Sequence, residues 1–247
     1  MKGVCVITGG SRGIGAACAK LAADSGYDVC FSFSSDEEAA RVVVKEIENS
    51  GGKAKAVKSD VSSETDILNL FAEANKMGTV KGLVNNAGVV DHSQRVEEFT
   101  IDRLQRMFSI NVIGSMLCAR EAIKCMSTKH GGNGGTIVNL SSAAAYLGAA
   151  GQYVDYAASK AAIDTFTKGL ANEVANESIR VNAVRPGLIY TDLHASGGQP
   201  GRVEQMEHMV PMKRGGSTQE VAQAILWLMN EDASYVTGEC LNVTGGR

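Results

Sequence analysis

The stretch TGGSRGIG, Thr8 to Gly15, follows an apolar run, GVCVIT (3–8), and opens a helical pattern that runs from about Gly13 to Ser25. Its glycines at 9, 13 and 15 have the spacing G-x-x-x-G-x-G. Glycine lets the backbone turn tightly and lets a ligand approach it closely. A helix N-terminus adds free N–H groups and the positive end of the helix dipole. Such a unit is either a plain strand-to-helix connection or an anion cradle. Its position between a first strand and a first helix favours a dinucleotide pyrophosphate site.

The same alternation continues to the end of the chain. DVCFSF precedes the helical pattern DEEAARVVVKEIENSGG, which a glycine pair closes. KAKAVKSD leads into SSETDILNLFAEANKMG, where Ser62 or Ser63 can cap the helix and Asp66 supplies the capping-box partner of Ser63. GLVNNAG reads as a buried strand with a polar end, followed by one long helix over about Ile101–Thr128. GGTIVNLSS, a helix over Tyr153–Asn176, SIRVNAVRPG, the helix TQEVAQAILWLMN and GECLNVTGG complete the series. Seven strands alternating with helices imply parallel βαβ units with right-handed crossovers. Nearly continuous apolar strand cores fit a sheet covered on both faces. No linker divides the chain, so residues 1–247 read as a single doubly wound α/β domain.

Composition removes several function classes. The chain has 247 residues, 44% hydrophobic and 21% charged, with a formal net charge of −3 and no basic block, which argues against a nucleic-acid surface. No apolar run reaches 18 residues, so no membrane span is expected. The N-terminal apolar run is too short for a signal peptide. Six scattered cysteines, none in C-x-x-C, read as free thiols of a reducing, cytoplasmic compartment. Neither they nor the four histidines show metal-ligand spacing, and no metal is expected.

YVDYAASKAAID (153–164) places a phenol and an ammonium on one helical face. Tyr156 and Lys160 are four residues apart, and Tyr153 and Lys160 seven apart. By itself this is an ordinary amphipathic helix rich in alanine.

TGGSRGIG, NNAG (Asn85 to Gly88), Asn111, Ser141-Ser142, Tyr156-x-x-x-Lys160 and PGLIYT (Pro186 to Thr191) occur in that order. Together, and over the whole chain, they resemble the short-chain dehydrogenase/reductase family, nearest to 3-oxoacyl-carrier-protein reductases and glucose 1-dehydrogenase-like members. The resemblance implies a Rossmann-type fold with strand order 3-2-1-4-5-6-7 and hydride transfer between NAD(P) and a carbonyl or secondary alcohol. A 3-oxoacyl thioester, small ketone or sugar is an implied substrate. It makes Tyr156 the general acid/base and Lys160 its partner, the cation pulling the phenol's pKa below its usual value near 10. Ser142 then holds the carbonyl, with Ser141 as local rival. Ser142 precedes Tyr156 by 14 residues, one more than in some relatives, so the intervening loop should differ slightly. Asn111 props a helix bulge beside the lysine. Tyr153 falls outside the motif and lines the substrate pocket or packs.

The resemblance also distributes the cofactor contacts. Gly9, Ser11, Arg12, Gly13, Ile14 and Gly15 form the phosphate loop, and Asp60 and Val61 adjoin the adenine. Asn86, Ala87 and Gly88 line the adenosine ribose. Pro186, Gly187, Ile189 and Thr191 meet the nicotinamide, where Tyr156 and Lys160 also sit. NAD enzymes place an acid after the second strand for the ribose 2′-OH. Phe33 and Ser34 stand there, Arg12 is nearby, and Asp36 looks like a helix start, so NADP(H) is favoured over NAD(H). Many NADP-preferring relatives carry an arginine at Ser34, and this chain does not. Residues 192–213 read as a substrate lid with glycine hinges, in which His194 and Arg202 are either polar substrate contacts or, more simply, solvated loop residues. A homotetramer is implied, paired through the helices near 101–128 and 153–176 and through SYVTGECLNVTGG. The competing reading is a nucleotide-binding sensor or scaffold that has lost turnover.

Overall fold

Residues 2–247 are described by a computed structural model. The apolar runs form seven strands: β1 (Val4–Ile7), β2 (Asp28–Phe33), β3 (Ala54–Lys58), β4 (Val80–Asn85), β5 (Gly135–Leu140), β6 (Ile179–Pro186) and β7 (Cys240–Val243). All neighbours pair in parallel, in the order β3-β2-β1-β4-β5-β6-β7. β1 and β5 are buried over almost their whole length, as a doubly covered sheet requires. The expected strand order is the observed one.

Two helical layers cover the sheet. On one face α1 (Gly13–Asp24) and α2 (Glu37–Asn49) pack with α10 (Thr218–Met229) over Ile7, Phe31, Val84 and Val184. α1 buries Ala16, Ala17, Cys18, Ala19 and Ala22, side chains small enough to let it lie close to α10 and the sheet. On the other face lie α3 (Glu64–Met77), α5 (Ser115–Met126) and α7 (Val154–Val174). Local chemistry sets the helix starts. The Asp36 carboxylate caps α2 by accepting from Ala39 N at 2.9 Å. Ser63, and not Ser62, caps α3 by accepting from Asp66 N at 3.3 Å. Short helices α6 (Ala144–Leu147), α8 (Leu193–Ser196) and α9 (Arg202–Met206) decorate the carboxyl edge of the sheet. None of the described helices is long and apolar enough to cross a membrane.

The helix expected over Ile101–Thr128 is broken. α4 (Ile101–Phe108) passes into a π-helical segment, Ser109–Gly114, before α5 begins. A π turn admits an extra residue and is common beside functional sites. Here Ser115 Oγ donates to the Asn111 carbonyl at 3.2 Å. At Gly114 the helix lies so close to the Val61 carbonyl oxygen that a Cβ would collide with it. The apolar periodicity of the segment carries no trace of this register change.

Two buried polar links tie the layers together. In the sheet, Asn85 and Asn139 are register partners; Asn85 Nδ2 donates to Asn139 Oδ1 at 2.9 Å and Asn139 Nδ2 to Thr167 Oγ1 of α7 at 2.9 Å. Outside the sheet, Arg103 of α4 meets Asp155 at the start of α7, Nε to Oδ2 at 2.7 Å and Nη2 to Oδ1 at 3.2 Å, with side chains 6% and 0% exposed. Arg103 Nη1 also donates to the His92 carbonyl and to Gln94 Oε1, both at 2.7 Å. The loop after β4, α4 and the first turn of α7 are thereby fixed to one guanidinium. Breaking a buried pair from one side leaves an uncompensated charge and costs about 3–5 kcal/mol. Arg103→Leu and Asp155→Leu are each expected to lose that much in urea unfolding. The double variant should lose less than either single one, and additive losses would show that the pair is not the source.

Candidate active site

The carboxyl ends of the strands open into one cavity of about 760 Å³. In an open parallel sheet this is where ligands bind, at the point where strand order reverses. Here that point lies between β1 and β4.

The TGGSRGIG turn forms its floor. Gly9 and Gly13 have φ of +67° and +56°, a region that non-glycine residues seldom adopt. Gly9 N donates to Ser32 Oγ at 3.0 Å. Thr8 Oγ1 accepts from Asn86 N at 3.0 Å and Ala87 N at 2.9 Å, while Asn86 Nδ2 donates to the carbonyls of Thr8 and Gly9, both at 2.9 Å. The phosphate loop and NNAG are therefore one knotted unit, and Asn86 holds protein before it can hold ligand. Gly15 does not line the cavity. It packs on the Gly9 carbonyl, where a Cβ would collide, so its role is to let α1 press against the turn. The α1 N-terminus has no side-chain cap and no acid in its first turn. Free N–H groups, a glycine floor and the exposed Arg12 fit a dinucleotide pyrophosphate.

Around this floor the cavity collects Ser11, Arg12, Ile14, Phe33, Ser34, Asp60 and Val61 from the β1 to β3 side, and Gly88, Pro186, Gly187, Ile189 and Thr191 from the β4 to β6 side. Asp60 Oδ1 accepts from Ser62 N at 2.9 Å and from Ser62 Oγ at 2.8 Å, so that carboxylate organises its own turn. At the end of β2 no carboxylate enters the cavity wall. Ser34 is exposed there, and Asp36 serves as the cap of α2.

Tyr156, Ser142 and Lys160 share the wall near the β5 end. α7 presents Tyr156 and Lys160 one turn apart, with Lys160 Nζ 5.7 Å from the Tyr156 ring centre. Lys160 is 4% exposed, and its Nζ donates to the Leu140 carbonyl at 2.7 Å. Burial pushes its pKa down to about 8, partly opposed by Asp164. The phenol does not follow the expected direction. Burial raises the Tyr156 pKa above its ordinary value, and the neighbouring Ser142 hydroxyl only opposes that rise. Desolvation disfavours both charged forms here, and the ammonium is turned toward a backbone carbonyl. The two serines divide clearly: Ser141 is buried and donates to the Lys160 carbonyl at 3.2 Å, whereas Ser142 accepts from Ala144 N at 3.1 Å and faces the phenol.

Asn111 is fully buried and lies behind the cavity wall. Its Oδ1 accepts from Val89 N at 2.8 Å, and its Nδ2 donates to the Val89 carbonyl at 3.0 Å and Ser159 Oγ at 3.1 Å. It stitches the π segment to the loop after β4 and to α7, one residue from Lys160.

The outer end of the cavity departs from expectation. Tyr153 lines it and is 4% exposed, and its hydroxyl has no partner. His194 and Arg202 are less exposed than solvated loop residues would be. Both are only partly exposed and line the wall, because α8 and α9 fold residues 192–206 back over the cleft. Gln152 joins them through its bond to Arg202. Nothing in its sequence context marks Gln152. Among the described residues no three His, Cys, Asp or Glu side chains converge as a metal set.

Comparison with known proteins agrees with this geometry. The family model described as enoyl-(acyl carrier protein) reductase matches residues 9–247. An uncharacterized oxidoreductase of Escherichia coli, YgfF, is 50% identical over 245 residues, 99% of each chain. The solved short-chain dehydrogenase/reductase of Serratia marcescens superimposes with a TM-score of 0.91 at 32% identity, covering 99% of this chain and 97% of that one. A blue fluorescent protein from a metagenomic library, solved in complex with NADPH, superimposes with a TM-score of 0.90, also at 32% identity, over 99% and 97% of the two chains. With a doubly wound sheet in the order 3-2-1-4-5-6-7, a glycine-floored cleft at its switch point and relatives that match it end to end, the chain belongs to the short-chain dehydrogenase/reductase family of oxidoreductases.

Proposed function

We propose that the protein is an NADP(H)-dependent oxidoreductase acting on a carbonyl or secondary alcohol, with Tyr156 as the proton donor and acceptor. One observation carries this reading. Tyr156, Ser142 and the buried Lys160 ammonium meet on one wall of the cavity whose floor is the glycine turn at the α1 N-terminus. A bound NADPH supplies the hydride that reduces the carbonyl carbon. Ser142 holds the carbonyl oxygen, and the Tyr156 hydroxyl delivers its proton to that oxygen as the alcohol forms. Tyr156 then regains a proton from solvent. A phenol whose pKa burial raises stays protonated at neutral pH, which suits a donor in the reductive direction. Lys160 stabilises the phenolate formed in passing and binds the nicotinamide ribose. Asn111 positions α7 from behind through Ser159 and Val89.

Arg12 and Ser34 support the phosphorylated cofactor: a guanidinium without an ion-pair partner among the described residues lines the same cavity as a strand end that offers a hydroxyl in place of a carboxylate. Residues 192–213 act as the lid. All six cysteines are free, which suits a reducing, cytoplasmic setting. A homotetramer is supported by apolar side chains left in water, Ile113 in the π segment, Met116 at the start of α5 and Tyr235 before β7. The silent-scaffold reading leaves the clustering of Ser142, Tyr156 and Lys160 without a purpose.

Three measurements test this. Tyr156→Phe keeps the ring and removes the proton. Its turnover of a carbonyl substrate with NADPH is expected to fall by about 10²–10⁴-fold with cofactor binding nearly intact; undiminished turnover would remove Tyr156 from the mechanism. Arg12→Ala is expected to weaken NADPH much more than NADH in calorimetric titration, and equal losses would overturn the cofactor preference. Lys160→Met tests the buried charge through stability. The folded-state pKa of Lys160 lies below that of the unfolded chain, so between about 8 and 10.5 the unfolded chain binds more of this proton. The penalty is complete below that window and is relieved as pH rises through it. Between pH 7 and 9 the wild type should gain on the order of 1 kcal/mol in unfolding free energy relative to Lys160→Met. Parallel pH curves would mean that the ammonium is not desolvated as described.

A further inference from the structure

The outer end of the cavity holds a second set of polar groups that hydride transfer does not use. Tyr153 is buried with its hydroxyl unpartnered. His194 Nδ1 is also buried without a partner. Arg202 lines the same cavity, its guanidinium 5.3 Å from the Tyr153 ring centre. Arg202 donates through Nη1 to Gln199 Oε1 and through Nη2 to Gln152 Oε1 at 2.6 Å. Both acceptors are neutral amides, and among the described residues Arg202 forms no ion pair. A guanidinium has five N–H donors in a planar fork, so donors remain after these two bonds. Asp192, the acid of this end, lines the cavity but is exposed and forms no ion pair with Arg202.

The other groups at this end add no charge. Burial and the Arg202 cation push His194 down to about 4, so at neutral pH it is an uncharged imidazole with one donor and one acceptor nitrogen. Tyr153 offers a neutral hydroxyl. Leu147, Leu193 and Met206 supply apolar wall to the same cavity. Buried polar atoms are nearly always paired, so two orphans on residues that line one cavity, beside a cation without an ion-pair partner, point to a ligand group that completes them. A single fork flanked by neutral donors matches a planar monoanion.

We infer that the substrate is an oxo acid, whose carboxylate is received by Arg202 with Tyr153 and His194 as neutral hydrogen-bond partners while its carbonyl lies at Ser142 and Tyr156. This rests on the reductase reading for the carbonyl and is independent of it for the carboxylate. Tyr153 is thereby a specificity residue and distinct from the proton donor three residues later.

The test uses 3-oxobutanoate, 4-oxopentanoate and 5-oxohexanoate, each beside its methyl ester. It reads kcat/KM with NADPH, and separately calorimetric binding to the protein with and without saturating NADP⁺. The wild type should favour at least one acid over its ester by about 10–100-fold, the range of a charge-assisted hydrogen bond. Arg202→Met should bring that ratio close to one, Arg202→Lys should retain part of it, and Tyr153→Phe should reduce it several-fold. A wild type that treats each acid like its ester, or a preference that survives Arg202→Met, would overturn the inference. If esters are reduced and acids are neither bound nor reduced, the carboxylate site fails while the reductase reading stands. If an acid binds in an Arg202-dependent way and no carbonyl is reduced, the site stands and the reductase reading fails.

Discussion

The Lys160 ammonium is a charge held out of water with one hydrogen bond to protein, to the Leu140 carbonyl. Isolated buried charges are strongly disfavoured, and proteins hold them only where the surroundings leave no alternative. Here the surroundings are the ends of β4 and β5, the π segment and α7, all fixed by buried hydrogen bonds. Asn111 and Ser159 fill the space where water would otherwise reach the helix from behind. Ser141 holds the Lys160 carbonyl, so the residue is gripped by its backbone while its side chain stays uncompensated. Two ammonium donors remain for a ligand. The folded chain thus carries a standing electrostatic debt at the place where an incoming ribose or phenolate oxygen would relieve it, a common trait of functional sites.

Parallel topology makes this arrangement possible. Every strand delivers its carboxyl end to the same edge, so Gly9, Asn86, Ser142 and Pro186 arrive from β1, β4, β5 and β6 without long loops. Precision comes from buried polar links. The Asn85–Asn139–Thr167 chain locks β4 to β5 and to α7, and the Arg103–Asp155 pair fixes the first turn of α7 one residue before Tyr156. A rotation of α7 would break both at once. The tyrosine and the lysine therefore keep their spacing because the helix is pinned at its start and along its buried face.

Much of this was legible in the residues, and the boundary has physical causes. Alternating apolar runs gave seven strands because a doubly covered parallel sheet needs continuous hydrophobic segments. The helix starts at Asp36 and at Ser62 or Ser63 could be read because capping is local chemistry, although the expected capping box does not form: the Asp66 carboxylate accepts from Asp60 N instead. The π segment was not legible in the apolar periodicity, since inserting one residue into a helix leaves the pattern over Ile101–Met126 nearly unchanged; only the family resemblance, which implies a helix bulge at Asn111, pointed to it. Nor was the Arg103–Asp155 pair, whose partners lie 52 positions apart. The direction of the Tyr156 shift differs from the one the resemblance implies. Four residues on a helix set the distance to Lys160, but burial decided the sign. His194 and Arg202 read as loop residues because glycines surround them, and only the fold of α8 and α9 turns them inward.

The two ends of the cavity are built by different means. The inner end is mostly backbone: helix N–H groups, glycine φ angles, and strand ends tied by Thr8 and Asn86. Backbone donors suit a ligand whose phosphates and riboses are the same for every enzyme that uses it. The outer end is mostly side chain, carried by α8, α9 and the residues just before α7. Gln152 and Gln199 brace Arg202 with amides, which hold a guanidinium in place without neutralising it. A carboxylate in either position would fix the arginine equally well and quench its charge. The choice of two glutamines therefore keeps a cation both ordered and available, and it is this pairing, more than the arginine alone, that gives the outer end a sign.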